Sequence, residues 1–158
     1  MTKFDETDRK LLELLQEDCK KTTKEYAYQL NLSVTAVYER IKRLERVGAI
    51  TKYVALVDKK VVKRSFVVLC HIKLIQHAKE FVLKFEREVQ KLPEVVECYH
   101  VSGDYDYILK VLVSDMDAYR DFMVTKLTVL KHIGSTQSTF VINEVKHTTS
   151  IAVGCDVV

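Results

Sequence analysis

Thr22-Thr-Lys-Glu-Tyr-Ala-Tyr-Gln-Leu-Asn-Leu-Ser33-Val-Thr-Ala-Val-Tyr-Glu-Arg-Ile-Lys-Arg-Leu-Glu45-Arg-Val-Gly48 contains two short amphipathic helices separated by a tight polar turn. The first helix opens on a capping box: the Thr22 hydroxyl accepts from the Glu25 backbone N–H, and the Glu25 carboxylate reaches back to the N–H of Thr22. Tyr26, Ala27 and Leu30 follow at helical spacing, and Asn31 stands where the chain must turn left-handed. Leu32 fills the corner and Ser33 caps the next helix. In that helix Val37, Ile41 and Leu44 form one apolar stripe at i, i+4 and i+7. Thr35, Ala36, Tyr38, Glu39, Arg40, Lys42, Arg43 and Arg46 are left outside it.

Two capped helices about a tight turn, the second with a basic outer face, have the layout of a helix-turn-helix that reads DNA. In that motif the second helix enters the major groove by its N-terminal end. Ser33, Thr35, Ala36 and Glu39 are therefore expected at base edges or nearby phosphates, with Thr22 and Tyr38 completing the set. Arg40 and Arg43 lie i, i+3 apart and are expected to hold phosphates or reach a guanine, and removing either is expected to leave the fold intact. The competing expectation is an ordinary solvated face, with Glu39 and Arg43 as an i, i+4 ion pair.

The distribution of charge favours the first expectation. The chain of 158 residues has a net charge of only +3. Residues 1–64, however, carry 15 Lys and Arg against 10 Asp and Glu, and residues 33–64 carry 9 against 3. Residues 65–158 carry 10 against 12. The positive charge thus sits where the proposed reading element sits.

Upstream, Asp5-Glu-Thr-Asp8 has the acidic first turn of a helix with Asp5 as N-cap, and Leu11, Leu12, Leu14 and Leu15 give that helix a broad apolar face. It is expected to pack across the two that follow, with its acidic side turned away from DNA. Downstream, Gly48 ends the second helix of the motif. Ala49 to Val57 has the pattern of extended chain, a β-wing from which Lys52 could touch a phosphate. Lys59-Lys60 and Lys63-Arg64 flank a connector.

From Ser65 the pattern changes. Phe66 to Ile75 is β-branched and apolar and predicts a strand, Ala78 to Leu92 a helix stopped by Pro93, Val95 to Val101 a second strand and Tyr107 to Val113 a third. Met116 to Leu130 predicts another helix, and Thr136 to Val145 the last strand. The order β-α-β-β-α-β is the ferredoxin-like arrangement, so the fold class is α+β. Its two helices cover one face of the sheet. The strands are nonetheless apolar on both faces, with Val67, Leu69, Ile108 and Leu112 on the second, and such a sheet calls for another copy of itself. A homodimer also matches two half-sites on DNA.

The domain organisation is then a helix-turn-helix DNA-binding domain over 1–51, a linker strand or hinge over 52–64, a ferredoxin-like domain over 65–149 and a tail over 150–158. The N-terminus lacks an apolar export signal and no segment is long and apolar enough to span a membrane, which points to the cytoplasm. Cys19, Cys70, Cys98 and Cys155 form no C-x-x-C pair and the histidines have no ligand spacing, so no metal or cofactor is expected. Cys70 and Cys98 are expected to be small buried residues. No nucleophile and base stand in a recognisable pattern, which argues against an enzyme on the ferredoxin-like half.

The whole chain to about Thr149 resembles the Lrp/AsnC, or feast/famine, family of transcription regulators. The resemblance rests on Asp5-x-x-Asp8, then Leu32-Ser33-x-x-x-Val37-x-x-Arg40-Ile41-x-Arg43-Leu44-Glu45-x-x-Gly48-x-Ile50, Val101-Ser-Gly-Asp-Tyr-Asp-Tyr107 and Val141-x-Asn143-Glu144-Val145-Lys146. It departs at Cys19-Lys20, where such proteins often have glycine. The resemblance implies a DNA-binding domain and a ligand-sensing domain, dimers that often assemble into rings such as octamers, and a small effector, usually an amino acid. It also places the effector region at Gly103, Asp104, Tyr105 and Asp106, with Met116 and the start of the last strand.

The residues there suit a free amino acid. Gly103 can expose backbone N–H groups, Asp104 and Asp106 offer carboxylates for an ammonium, and Ser135, Thr136 and Ser138 offer hydroxyls. The competing expectation is a routine hairpin turn. An oligomeric amino-acid sensor with no DNA role is the alternative for the chain as a whole, and the N-terminal helices argue against it.

Overall fold

The computed structural model describes residues 4–154. The described residues within Met1–Ala55 and Lys146–Val158 form one compact unit, and Leu56–Val145 forms a second. In the first unit α1 is Glu6–Glu17, α2 Thr23–Leu30 and α3 Val34–Arg46. Each start is fixed locally. Asp8 N donates to Asp5 Oδ1 at 2.7 Å and Asp5 N to Asp8 Oδ2 at 3.1 Å, a capping box for α1. Thr22 and Glu25 make the expected box for α2, and Ser33 Oγ accepts from Ala36 N at 3.1 Å to cap α3. Asn31 takes the left-handed conformation at φ 53°, which turns α2 into α3. Gly48, at φ 76°, ends α3 in the same way, with Ala49 N donating to Leu44 O at 2.9 Å.

The core of this unit is small. Leu11, Tyr26, Ala27, Val37 and Leu44 are buried, with Leu12, Leu15, Leu30, Leu32, Ile41 and Ile50 packed about them. Each fully buried Leu or Val stabilises by about 1.5–3 kcal/mol, so few side chains carry this unit and any other tie between its helices counts for much. The tail belongs here too: Gln16 holds the backbone of Ile151 by two hydrogen bonds of 3.0 and 2.8 Å.

The second unit runs β1 Phe66–Leu74, α4 Lys79–Val89, β2 Val95–His100, β3 Tyr107–Val113, α5 Met116–Phe122 and β4 Ile133–Phe140. Strand order β2-β3-β1-β4, with every pair antiparallel, is the ferredoxin-like topology. Alternation sends Val68, Cys70, Ile72 and Leu74 of β1 and Tyr107, Leu109, Val111 and Val113 of β3 under the helices, where Phe85, Val89, Tyr119, Phe122 and Leu127 meet them. Val67, Leu69, His71, Ile108 and Leu112 line the opposite face.

Four expectations need correction. Residues 49–57 form no strand, because a strand needs a ladder partner and this segment has none among the described residues. A turn follows at residues 59–63, with Lys63 left-handed at φ 54° and the Lys59 ammonium paired to Glu144. The helix begun at Met116 passes into one π turn, Met123–Leu127, where the hydroxyls of Thr125 and Thr128 bond to the backbone oxygens of Asp121 and Met123. β4 starts at Ile133 and ends at Phe140, which pairs with Val68 near the start of β1. Cys70 is buried as expected, but Cys98 is exposed because β2 is an edge strand.

Candidate functional site

The outer face of α3 carries Thr35, Tyr38, Glu39, Lys42 and Arg46, all exposed, with Ser33 exposed at its start and Ala36 half-buried. Ser33, Thr35, Ala36, Tyr38 and Glu39 stand at the end of the helix that the Asn31 turn presents, and Lys42 and Arg46 toward its other end. Lys42 Nζ lies 5.8 Å from the Tyr38 ring centroid and 2.8 Å from Glu45 Oε2, and the bond to Glu45 holds its ammonium above its usual range. Thr22 is spent on its cap, with its hydroxyl donating to Glu25 at 2.7 Å. Lys52 is exposed in the irregular segment. Lys42 and Arg46 are absent from the expected contacts, although their helical spacing from Thr35 and Glu39 puts them on the same side.

Arg40 and Arg43 are placed differently from the expectation. Arg40 Nη1 donates to Asp5 Oδ2 at 2.7 Å and to Asp8 Oδ1 at 2.6 Å, and Arg43 Nη2 donates to Asp8 Oδ2. The solvated pair of Arg43 with Glu39 gives way to this contact. Asp8 is fully buried, whereas the two arginine side chains are 26% and 39% exposed. Burial pushes the Asp5 carboxyl up, but the N–H of Asp8 and the Arg40 guanidinium outweigh it and hold Asp5 below its ordinary value. Asp5 and Asp8 therefore meet α3, while Glu6 stays in solvent and pairs with Lys10. The arginines are partners of Asp8, so removing them is expected to cost stability.

In the second unit the expected effector residues divide between the two faces of the sheet. Gly103, at φ 128°, turns the chain before β3. Tyr105 lies on the open face, its ring 5.2 Å from His71 and its hydroxyl donating to Gln137 Oε1. Ser138 and Thr136 pair in register with Cys70 and Ile72 on the helix-covered face, and Ser138 Oγ is 2.6 Å from Tyr119 Oη. Ser135 pairs with Lys73 on the open side, and Met116 stands half-exposed at the start of α5.

Asp104 is exposed. Asp106 is engaged: Leu74 N donates to Oδ2 at 2.7 Å, and His77 Nε2 is 2.8 Å from Oδ1. Desolvation raises its carboxyl, but these bonds prevail and leave it below its ordinary value. Asp106 thus pins the turn to the end of β1, and Asp104 presents the less committed carboxylate.

Two grooves of this unit are lined by other residues, one of about 480 Å³ by Glu86, Cys98, His100 and their neighbours, the other of about 190 Å³ by Ile75, Phe81 and His132 among others. Gln137, His71 and His77 were not expected at the turn. Period-two alternation from Ser135 points to Gln137, while nothing local in the sequence points to the histidines.

Comparison with known proteins agrees with this architecture. Residues 4–45 match the AsnC-type helix-turn-helix domain and residues 67–151 the Lrp/AsnC ligand binding domain. The leucine-responsive regulatory protein of Escherichia coli K12 is 38% identical over 150 residues, 95% of this chain and 92% of that protein. The DNA-binding transcriptional activator DecR of the same strain is 34% identical, over 95% of this chain and 99% of its own length. A transcriptional regulator of Neisseria meningitidis, solved as a complex with L-Met, superposes with a TM-score of 0.90 at 33% identity, covering 94% of this chain and 96% of that one. These proteins are regulators rather than enzymes, and among the described residues here no helix is long and apolar enough to cross a membrane. With a helix-turn-helix in one unit and a ligand-binding fold in the other, the chain belongs to the Lrp/AsnC family of DNA-binding transcription regulators.

Proposed function

We propose that α3 enters the major groove by its N-terminal end, with Ser33, Thr35, Ala36, Tyr38 and Glu39 against bases and adjacent phosphates. Lys42, Arg46 and Lys52 lie against the DNA backbone, and the chain acts in the cytoplasm. The observation that carries this reading is the left-handed turn at Asn31 between two capped helices, which leaves that face of α3 exposed.

Phosphate neutralisation releases counterions, so affinity for a duplex is expected to fall about 10³-fold or more between 50 and 200 mM salt. Lys42→Ala is expected to flatten the log–log slope by about 0.9 per subunit bound. Fluorescence anisotropy on a labelled duplex measures both, and an unchanged slope in Lys42→Ala would remove this face from the interface.

The regulator works as a homodimer or a larger ring. Support comes from the open sheet face and from Val54, Leu56, Val57, Val61, Ile142 and Val145, all exposed apolar side chains about the hinge and after β4. The second unit takes a small effector, an amino acid, at the turn Gly103–Asp106 near Ser135 and the open face, with Asp104 toward its ammonium. The N. meningitidis relative, solved with L-Met, makes that ligand the first to try.

Asp106→Ala removes the two bonds that pin the turn. It is expected to weaken amino-acid binding by about tenfold or more, the loss for a charge-assisted hydrogen bond of about 1.5–3 kcal/mol. Calorimetric titration with each of the common amino acids measures it, and an affinity equal to wild type would move the site elsewhere.

A further inference from the structure

We infer that Asp8 is a positioning residue for DNA reading: from α1 it holds Arg40 and Arg43 out of the phosphate-binding set and leaves the grip of α3 to the cations on its outer side. This rests on the assignment of α3 as the reading helix. Three observations carry it.

The first is charge. Two guanidiniums meet two carboxylates, Arg40 and Arg43 with Asp5 and Asp8, so the cluster offers a polyanion no net attraction although its arginines belong to the basic stretch.

The second is direction. At roughly 100° per residue, Thr35, Glu39, Lys42 and Arg46 fall within a narrow arc opposite the stripe of Val37, Ile41 and Leu44, whereas Arg40 and Arg43 lie off to one flank. That flank faces the first turn of α1.

The third is commitment. Asp8 has no exposed side-chain area, accepts from both arginines and from the backbone of Asp5, and cannot exchange them for water without leaving the core. Arg43 Nε is itself buried without a hydrogen-bond partner, a sign that the side chain is placed by Asp8 and not by its own hydration.

The functional consequence is selectivity. Phosphate contacts position a protein on any duplex and carry no sequence information, so withholding two arginines lowers sequence-independent binding while the base-facing end of α3 stays as it is. The same carboxylate links α1 to α3 at two points three residues apart and so sets the orientation in which α3 is presented.

The test uses the full chain with the single substitution Asp8→Asn, which keeps the shape of the side chain and removes its charge. Binding to a random-sequence duplex is measured from low to moderate salt. The freed arginines are expected to steepen the log–log salt slope by about one to two units per subunit and to raise low-salt affinity by about tenfold. Adding Arg43→Gln to Asp8→Asn is expected to cancel about half of that steepening. A slope equal to wild type or flatter, with helix content retained by circular dichroism, overturns the inference, because a merely structural role for Asp8 predicts no steepening.

Should Asp8→Asn lose its helices, Asp5→Asn decides instead. It keeps an N-cap residue and frees one of the two contacts of Arg40, so its slope is expected to steepen by less than one unit, and no change overturns the inference. Failure of the underlying assignment looks different: wild-type protein would then show no salt-dependent duplex binding at all.

Discussion

The double substitution Arg40→Ala with Arg43→Ala is expected to destabilise the N-terminal unit by about 3–5 kcal/mol, the effect of stripping the partners from a buried charge. Asp8 is the fully buried member of the cluster, and its two arginines are the partly exposed ones. Removing the arginines strands a carboxylate inside a small core with only the N–H of Asp5 to hold it. Removing the carboxylate instead leaves two guanidiniums that need only rotate outward into water. The two substitutions are therefore far from equivalent, and the arginine pair is the more damaging.

A unit of this size has a total stability on the order of 5 kcal/mol, so about 0–2 kcal/mol would remain and up to about half of the population is expected to lose α1 to α3 at room temperature. Urea denaturation followed by far-ultraviolet circular dichroism measures it. A double variant within about 1 kcal/mol of wild type would show that Asp8 is hydrated at little cost, and the cluster would then have no structural weight. The result also bears on DNA binding: a loss of up to about twofold in the arginine variants reports the unfolded fraction of the reader and not missing phosphate contacts.

That asymmetry marks how far the sequence could be read. Each helix start in the first unit was legible because capping is local: Thr22 with Glu25, Ser33 with Ala36, and Asn31 at its turn all act within three residues. The partners of Asp8 lie 32 and 35 residues away and depend on how α1 crosses α3. A clue was nonetheless present. Asp8 precedes Leu11, Leu12 and Leu15 at i+3, i+4 and i+7, so it belongs to the apolar stripe of α1 and not to its outer side.

In the second unit β-α-β-β-α-β followed from periodicity alone, but two details did not. β4 ends opposite Val68 near the start of β1, and the π turn carries hydroxyl bonds from Thr125 and Thr128 to the backbone. Neither leaves a mark on the hydrophobic pattern. The turn proposed for the effector was legible as a turn, through Gly103. That Asp106 serves Leu74 and His77 is a tertiary fact, and it shifts the weight for the ammonium to Asp104.

Phe85→Ala is expected to be the most costly single truncation in the second unit. Phe85 is fully buried on α4, with its ring 4.7 Å from that of Tyr107 on β3, whose hydroxyl donates to Glu86 Oε1 at 2.8 Å. Removing the ring takes away buried apolar area and leaves a cavity between α4 and the sheet that neither element can close, since Val89 and Leu109 are themselves held by neighbours on both sides. The expected loss is about 3–5 kcal/mol.

Phe140 is the internal comparison. It lies at the end of edge strand β4, is 42% exposed, and meets Phe66 at a tilt of 44° and Tyr119 in a T-shaped contact at 86°. Because the vacated space opens to water, Phe140→Ala is expected to cost about 1 kcal/mol, within the range for one aromatic contact and partial burial. Urea denaturation monitored by tyrosine fluorescence separates the two, and equal losses would mean that the sheet, rather than its seam with α4, limits the stability of this unit. The difference also bears on regulation. Tyr107 opens β3 immediately after Asp106, so a cavity beneath Tyr107 loosens the base of the turn proposed for the effector, and Phe85→Ala is expected to lose amino-acid binding where Phe140→Ala keeps it.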